Sequence, residues 1–327
     1  MSCKESLERG VSLIICCYNS GWIIERTLNA LKEQIVKDSL HWEIILVDNC
    51  CTDNTVELAL RTMKDCDISF VIAHESKAGL ANARRRGISV AHYDIVIYCD
   101  DDNLLSERYV NTMHDLMRSD STIGAAGGMG IAEFQAPPAQ IVVDNIGNYA
   151  VGSQIGHDCW LYGAGVTLRT ALVREVYNHQ KCYLMGRKGN ELLSGDDTEL
   201  VMSMVVRGYK IAPTDDVTFI HVLKAERLSE EYYQRLVVGL YRPIPVFEMF
   251  RMVINNVPFK VFRDKYLLWK KAYWGSWLKF WRSKSKDVRN QNKALLAPYE
   301  FWGFFTLWKI YREWTEIKNN HKKLSDI

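Results

Sequence analysis

The stretch IVIYCDDDNLL, Ile95 to Leu105, decides how this chain is read. Ile95 to Cys99 form a short apolar run suited to a strand buried on both faces. The run ends on three acids, Asp100, Asp101 and Asp102. Like charges packed this tightly repel, so they need solvent, hydrogen-bond donors or a cation. A buried strand that delivers oxygen ligands at its carboxyl end is where an α/β sheet places Mg2+ or Mn2+ with a phosphorylated ligand. An acidic turn is the alternative that this stretch alone leaves open.

The preceding residues repeat the arrangement. Val11 to Cys17 (VSLIICC) and Trp42 to Val47 (WEIILV) read as buried strands, and Ile68 to Ala73 as a third. Helices are predicted between them: from an N-cap at Ser20 to about Ile35, from Asn54 to Lys64 behind Asp53, and from Gly79 to Ala91. Alternating strands and helices predict a mostly parallel sheet with right-handed crossovers. Polar residues recur at the strand ends: Tyr18 and Asn19, Asp48 and Asn49, then Asp100 to Asp102. Three strand ends sending polar groups to one edge say more than any one of them.

Further along, a helix is predicted over Ser106 to Arg118. Ile123 to Gly130 (IGAAGGMG) reads as a glycine-permitted strand, because no clear helix follows as a dinucleotide fingerprint requires. Residues 131–158 read as an irregular binding loop and Trp160 to Leu168 as strand-like. Asp196 and Asp197 stand where a helix begins, one acid more than capping needs. That helix ends at Gly208, and short strands follow at Tyr209 to Ala212 and Val217 to Val222, the latter containing His221.

The ordered pieces resemble family 2 inverting nucleotide-sugar glycosyltransferases of the GT-A fold. Tyr18-Asn19 resembles the family's opening strand end, Leu46-Val47-Asp48-Asn49 its Val-Asp-Asp element, and Gly79 to Gly87 its Gly-x-x-x-Ala-Arg-Asn-x-Gly helix start. Asp100 to Asp102 resembles its D-x-D element, Trp160 to Arg169 its acceptor segment, and Gly195 to Leu200 its Glu-Asp base element. Asn49, Arg85 and Asp196 depart from that pattern. The resemblance implies Asp197 as catalytic base and Asp102 with His221 as ligands of Mn2+ or Mg2+. It implies a donor site of Tyr18, Asn19, Asp48, Arg84 and Asp100, and an acceptor side of Trp160, Gly163 and Asp196. The new sugar bond is then expected between Asp102 and Asp197. The donor is a nucleotide-sugar, with UDP implied, and the acceptor a glycan or polyprenyl-diphosphate-linked saccharide. The implied catalytic domain is 1–225, with a nucleotide-sugar half of about 10–105 and an acceptor half of about 106–225. A sugar nucleotidyltransferase would carry a Gly/Lys-rich phosphate loop where this chain has Tyr18-Asn19-Ser20. A non-catalytic glycan- or membrane-binding protein is the other alternative; intact acids at 100, 102 and 197 speak against it.

Composition sets the remaining expectations. Apolar residues make up 48% and charged residues 24%, ordinary for a chain with a packed core. Net charge is +2, but residues 258–327 carry 16 Lys+Arg against 6 Asp+Glu and seven of the ten tryptophans. Residues 226–327 are therefore read as a helical, basic, Trp-rich extension. From Tyr266 to Arg282, Trp269, Tyr273, Trp277 and Phe280 share one side of a helical wheel, opposite Lys271, Lys279 and Arg282. Phe301 to Trp314 repeats the theme. A basic helix with an aromatic face suits a membrane interface; packing on the catalytic domain or within a homo-oligomer is the alternative. No run reaches the roughly 18 apolar residues of a spanning helix. Nine cysteines without C-x-x-C spacing fit neither a zinc site nor a disulfide framework. A cytoplasmic protein, peripheral on the cytoplasmic face of the membrane, is expected, with no nucleic-acid partner.

Overall fold

The computed structural model describes residues 7–184, 186–187, 192, 194–264, 267 and 302–325. Its centre is an eight-stranded sheet: β1 (Glu8–Cys17), β2 (Trp42–Asp48), β3 (Ser69–His74), β4 (Tyr93–Asp100), β5 (Asn103–Leu105), β6 (Ile123–Phe134), β7 (Thr167–Arg169) and β8 (Lys210–Leu223). The spatial order is β3-β2-β1-β4-β7-β6-β8-β5. β3, β2, β1 and β4 are mutually parallel, β6 and β8 pair parallel, and β7 and β5 run against their neighbours. The helices are α1 (Ile24–Lys32), α2 (Thr55–Met63), α3 (Leu80–Val90), α4 (Tyr109–Ser119), α5 (Gln140–Asp144), α6 (Thr170–His179), α7 (Asp196–Val206), α8 (Glu230–Tyr241), α9 (Ile244–Ile254) and α10 (Phe304–Ser325).

The unbroken apolar runs are explained by burial on both faces. Leu13 and Ile15 face a core built with α1, α2 and α4, while Ile14 faces one built with α3, α6 and α7. Helix α3 lies close on the sheet because residue 87 is glycine. A Cβ there would sit 2.5 Å from Ile14 Cγ2 and 3.2 Å from a Val47 methyl. Register then levels the strand ends, since Cys17 pairs with Asp48 and Cys16 with Asp100. Buried Glu43, inside the second apolar run, accepts from the Ser12 hydroxyl at 2.7 Å and the His92 N–H at 2.8 Å.

Several local expectations change. Ser20 does not cap α1; its hydroxyl donates to the Asp101 carboxylate, and its carbonyl accepts from Ile23 and Ile24. The segment 131–158 is more ordered than expected. β6 runs on to Phe134, α5 and a 3-10 turn (Ile146–Tyr149) follow, and Gly152 bridges back to Gly130. Of the strand-like 160–168 run only Thr167 and Leu168 are strand, as the start of β7. The two late strands are one, β8, which bulges between Pro213 and Thr218 in its pairing with β6. The eight described cysteines carry free thiols.

After β8 the described chain is helical. α10 packs on α9, burying Trp302, Leu307, Ile310 and Trp314 with Met249, Phe250 and Phe262. The Phe250 and Trp314 rings meet at 4.2 Å. Trp302 and Trp314 of this stretch therefore pack on protein, because aromatic area is buried wherever an apolar partner is in reach, while Phe305 and Trp308 stay exposed. Residue 301 and, apart from Leu267, the Tyr266 to Arg282 stretch lie outside the described residues. Among the described residues no helix is long and apolar enough to cross a membrane.

Glu199 on α7 is a buried tie between these layers. Its carboxylate accepts from the backbone N–H groups of Tyr183 at 2.9 Å and Leu184 at 2.8 Å. Burial outweighs those donors and pushes its pKa from 4.5 up to about 8. Between those values the folded chain holds a proton that the unfolded chain has released, so stability is full below about pH 4.5 and falls as pH rises toward about 8. The slope contributed is at most about 1.4 kcal/mol per pH unit. The melting temperature of Glu199→Gln is accordingly expected to fall less than the parent's between pH 5 and 8, as measured by calorimetry at fixed ionic strength.

Candidate active site

The site lies along the carboxyl ends of β1, β2 and β4 and is closed by β8 and the start of α7. At its centre is Arg84 of α3, whose side chain is 3% exposed. Its Nη1 donates to Asp196 Oδ2 at 2.7 Å, its Nη2 stands 3.8 Å from Asp100 Oδ1, and its guanidinium lies over the Tyr98 ring. Burial opposes the charge, but Asp196, Asp197 and Asp100 outweigh it and hold the guanidinium pKa well above its ordinary value. The Arg84 side chain clamps the end of β4 to the start of α7.

Asp196 and Asp197 both lie within α7, behind Gly195 in a left-handed conformation, so neither is the N-cap. Asp196 pairs with Arg84. Asp197 accepts from its neighbour Thr198 N–H at 2.7 Å through Oδ1, leaving Oδ2 against the bare Cα of Gly163. Burial and the adjacent Asp196 raise the Asp197 pKa despite Arg84. The result is a sequestered carboxylate with heightened proton affinity. The half-buried Trp160 stacks on His157 at 3.7 Å and meets the edge of Tyr162 at 5.8 Å. It packs toward the cluster under α9 and α10.

The three acids of the opening stretch separate in role. Asp100 keeps an exposure of 36%. Asp101 turns inward to Ser20, and burial beside Asp102 pushes its pKa to about 7. Asp102 is buried, and His221 and Arg227 overcome the burial penalty to hold its pKa far below the usual carboxylate range. His221 reaches it through tertiary pairing: β5 sets Asn103 opposite His221, and the Asp102 carbonyl accepts from Val222 N–H at 2.9 Å. His221 Nδ1 is 2.7 Å from the Tyr149 carbonyl, which can only accept, so Nδ1 carries the proton. Nε2 points the other way and stands 3.6 Å from Asp102 Oδ1. An N–H anchored on a backbone carbonyl, with the second nitrogen turned toward a carboxylate, is the usual orientation of a metal-binding histidine. Among the described residues no three His, Cys, Asp or Glu side chains form a self-contained metal group. Asp102 and His221 nevertheless fit a hard cation that takes its other oxygens from phosphate and water.

At the β1/β2 end, Asp48 Oδ1 accepts from Cys51 N–H at 2.9 Å, and Oδ2 lies 3.0 Å from His74 Nδ1. These partners outweigh burial and lower its pKa. Asn49 shows why an amide works at this position. It donates to the Glu75 and Lys77 carbonyls and accepts from Gly79 N–H, fixing the turn into α3; a carboxylate could not donate. Asn19, at φ 53°, accepts from Thr52 N–H at 2.8 Å, and Tyr18 is 57% exposed at the rim. Sequence reasoning missed Tyr149, Arg227 and Glu199. The only signal for Arg227 was a basic residue shortly after His221.

Residues 12–140 match the model of the family described as Glycosyl transferase family 2. A poly-beta-1,6-N-acetyl-D-glucosamine synthase of Staphylococcus aureus (strain COL) is 33% identical over 120 residues, covering 36% of this chain and 28% of that protein. Glycosyltransferase GlyG of Streptococcus pneumoniae serotype 4 is 25% identical over 170 residues, covering 52% of this chain and 50% of its own length. The chain thus spans half or less of these relatives. Mannosyltransferase PcManGT from Pyrobaculum calidifontis, in complex with GDP-Man and Mn2+, has a TM-score of 0.54 at 17% identity, over 96% of this chain and 85% of that one. S. aureus TarS 1-349 in complex with UDP-GlcNAc gives 0.51 at 13%, over 90% and 93%. At these identities the likeness is one of fold, and that fold is GT-A.

Gly163 leaves no room for a side chain. A Cβ there would meet the Asp197 carboxylate and stand 2.9 Å from Arg84 Nη2, whereas one on Gly147 would meet nothing within 4 Å. Gly163→Ala is expected to cost about 1–3 kcal/mol in urea unfolding, and Gly147→Ala less than about 0.5 kcal/mol.

Proposed function

We propose that this chain, whose residues 12–140 are a glycosyl transferase family 2 domain, is an inverting, metal-dependent glycosyltransferase. It moves a sugar from a nucleoside diphosphate, UDP as the first choice, to a hydroxyl of a glycan or polyprenyl-diphosphate-linked saccharide. One observation carries the reading. Arg84 joins Asp100 at the end of β4 to Asp196 at the start of α7, so the Asp102–His221 pair and the buried Asp197 border one site. The names of the similar proteins support it: a glycan synthase by sequence, and by fold two proteins in complex with GDP-Man and Mn2+ or with UDP-GlcNAc.

In this reading Asp197 takes the proton from the acceptor hydroxyl, and burial suits it to that task by raising its proton affinity. The freed oxygen pair bonds to the sugar C1 as the C1–O bond to the diphosphate breaks. Its electron pair leaves with the diphosphate, and the anomeric configuration inverts. Asp102 and His221 would hold a divalent cation, which supplies Lewis-acid neutralisation of the leaving group. Asp48 accepts from the base or ribose, Tyr18 stacks on the base, and Asp100 orients the ribose. Arg84 positions Asp100 and Asp196. Trp160, Gly163 and Asp196 border the acceptor. The catalytic unit is 1–225, with the sheet complete at Leu223. Asp197→Asn is expected to lower transfer by about 10²–10⁴-fold while UDP affinity changes by less than about threefold. A panel of nucleotide-sugars with Mn2+, read by thermal shift and product formation, identifies the donor; unchanged turnover in the variant would sink the assignment of Asp197.

The same proposal includes attachment to the cytoplasmic face of a membrane. The observation favouring it is the outer face of α10, where Phe305 is 81% exposed and Trp308 41%, with Arg312 over the Trp308 ring. Aromatic side chains beside cationic ones on a helix surface suit the headgroup region. The full chain is expected to co-sediment with vesicles containing anionic lipid, and Phe305→Ser/Trp308→Ser to lose at least half of that binding. Equal sedimentation of the two proteins would favour docking on protein.

A further inference from the structure

Arg227 is paired directly with the carboxylate assigned above to the cation. It lies on the 3-10 turn Ala225–Leu228, just after β8, and its Nη1 donates to Asp102 Oδ2 at 2.9 Å. Three contacts fix the mount. The Tyr149 hydroxyl donates to the Arg227 carbonyl at 3.0 Å, the Ala139 N–H donates to the Leu228 carbonyl at 2.9 Å, and the Tyr149 carbonyl holds His221. Asp102, His221 and Arg227 are therefore carried by one small unit, while the Arg227 side chain keeps 20% exposure.

This geometry gives one carboxylate two cationic claimants. The claimants are the guanidinium and a bound metal: Arg227 uses Oδ2, and Oδ1 faces His221 Nε2. Arg187 adds positive potential at longer range. A divalent cation on Asp102 would face a partly buried guanidinium across the one carboxylate that both claim, in surroundings that screen poorly. A diphosphate removes the conflict. It brings further negative charge and oxygen pairs that match the guanidinium fork.

We propose that Arg227 holds the divalent cation off Asp102 until a nucleoside diphosphate gives the guanidinium another partner, so that metal and donor bind as a coupled pair. The inference rests on the reading of Asp102 and His221 as the donor-metal site. Coupling is reciprocal: whatever factor the nucleotide adds to metal affinity, the metal adds to nucleotide affinity.

The test is Mn2+ binding by the full chain, read from the electron paramagnetic resonance of free Mn2+, alone and with UDP or GDP in separate arms. For the parent chain, weak binding of Mn2+ alone and at least tenfold tightening by one nucleotide are expected. Arg227→Met and the neutral, polar Arg227→Gln are expected to bind Mn2+ alone about tenfold tighter than the parent, with a correspondingly smaller nucleotide effect. Arg227→Lys, which keeps the charge, is expected to stay near the parent. If either neutral variant, folded by circular dichroism, binds Mn2+ alone no tighter and keeps the full nucleotide effect, the coupling role falls and the metal site stands. If the parent binds no Mn2+ with either nucleotide, or Asp102→Asn binds it equally well, the donor-metal reading itself falls, and this inference with it.

Discussion

A buried guanidinium surrounded by carboxylates is the constraint on which the site depends. Arg84 is held inside the protein by Asp196 at 2.7 Å and Asp100 at 3.8 Å, with Asp197 close enough to raise its pKa further. Neither side is tolerable alone: an unpaired charge of either sign at this depth is strongly destabilising. Each therefore fixes the other, and the end of a parallel strand is locked to the start of a helix almost a hundred residues later. The clamp sits on α3, which reaches the sheet only because Gly87 lets it lie against Ile14 and Val47.

Around this clamp the carboxylates take opposite electrostatic characters. Asp102 is kept ionised by His221 and Arg227, as suits a cation ligand. Asp197, buried beside another carboxylate, is made more eager for a proton. Chemically similar side chains are thus driven apart by their neighbours, the usual way in which one site acquires distinct acid–base roles. The C-terminal helices contribute at a distance. α10 packs on α9, α9 packs on α7, and Tyr183 joins the two sides of the seam through its hydroxyl on Glu313 and its N–H on Glu199.

Local chemistry made much of the fold legible. Apolar runs at 11–17, 42–47 and 95–99 have little freedom to be anything except strands buried on both faces. The amphipathic segments between them leave helices as the only economical connection. Where the expectation slipped, a tertiary contact had overruled a local preference. Ser20 has the chemistry of an N-cap, but its hydroxyl answers the greater need of buried Asp101. The glycine-rich run at 123–130 extends to Phe134 because β8 lies alongside to pair with it. In Phe301 to Trp314, whose aromatic pattern lipid or protein could satisfy, α9 takes up Trp314 and leaves Phe305 and Trp308 outward.

The sequence by itself determined that polar groups would meet at the carboxyl edge of a parallel sheet. Strand and helix periodicity, together with the turn residues, are set by nearest neighbours. What only the tertiary structure decided was which groups touch. His221 faces Asp102 because β8 pairs antiparallel with β5, Tyr149 selects the His221 tautomer from a loop far away in the chain, and Arg227 arrives on the turn beyond. Those partners are brought together by strand register and chain reversal. Register is fixed by the burial of whole faces at once, a quantity that no short stretch of residues contains.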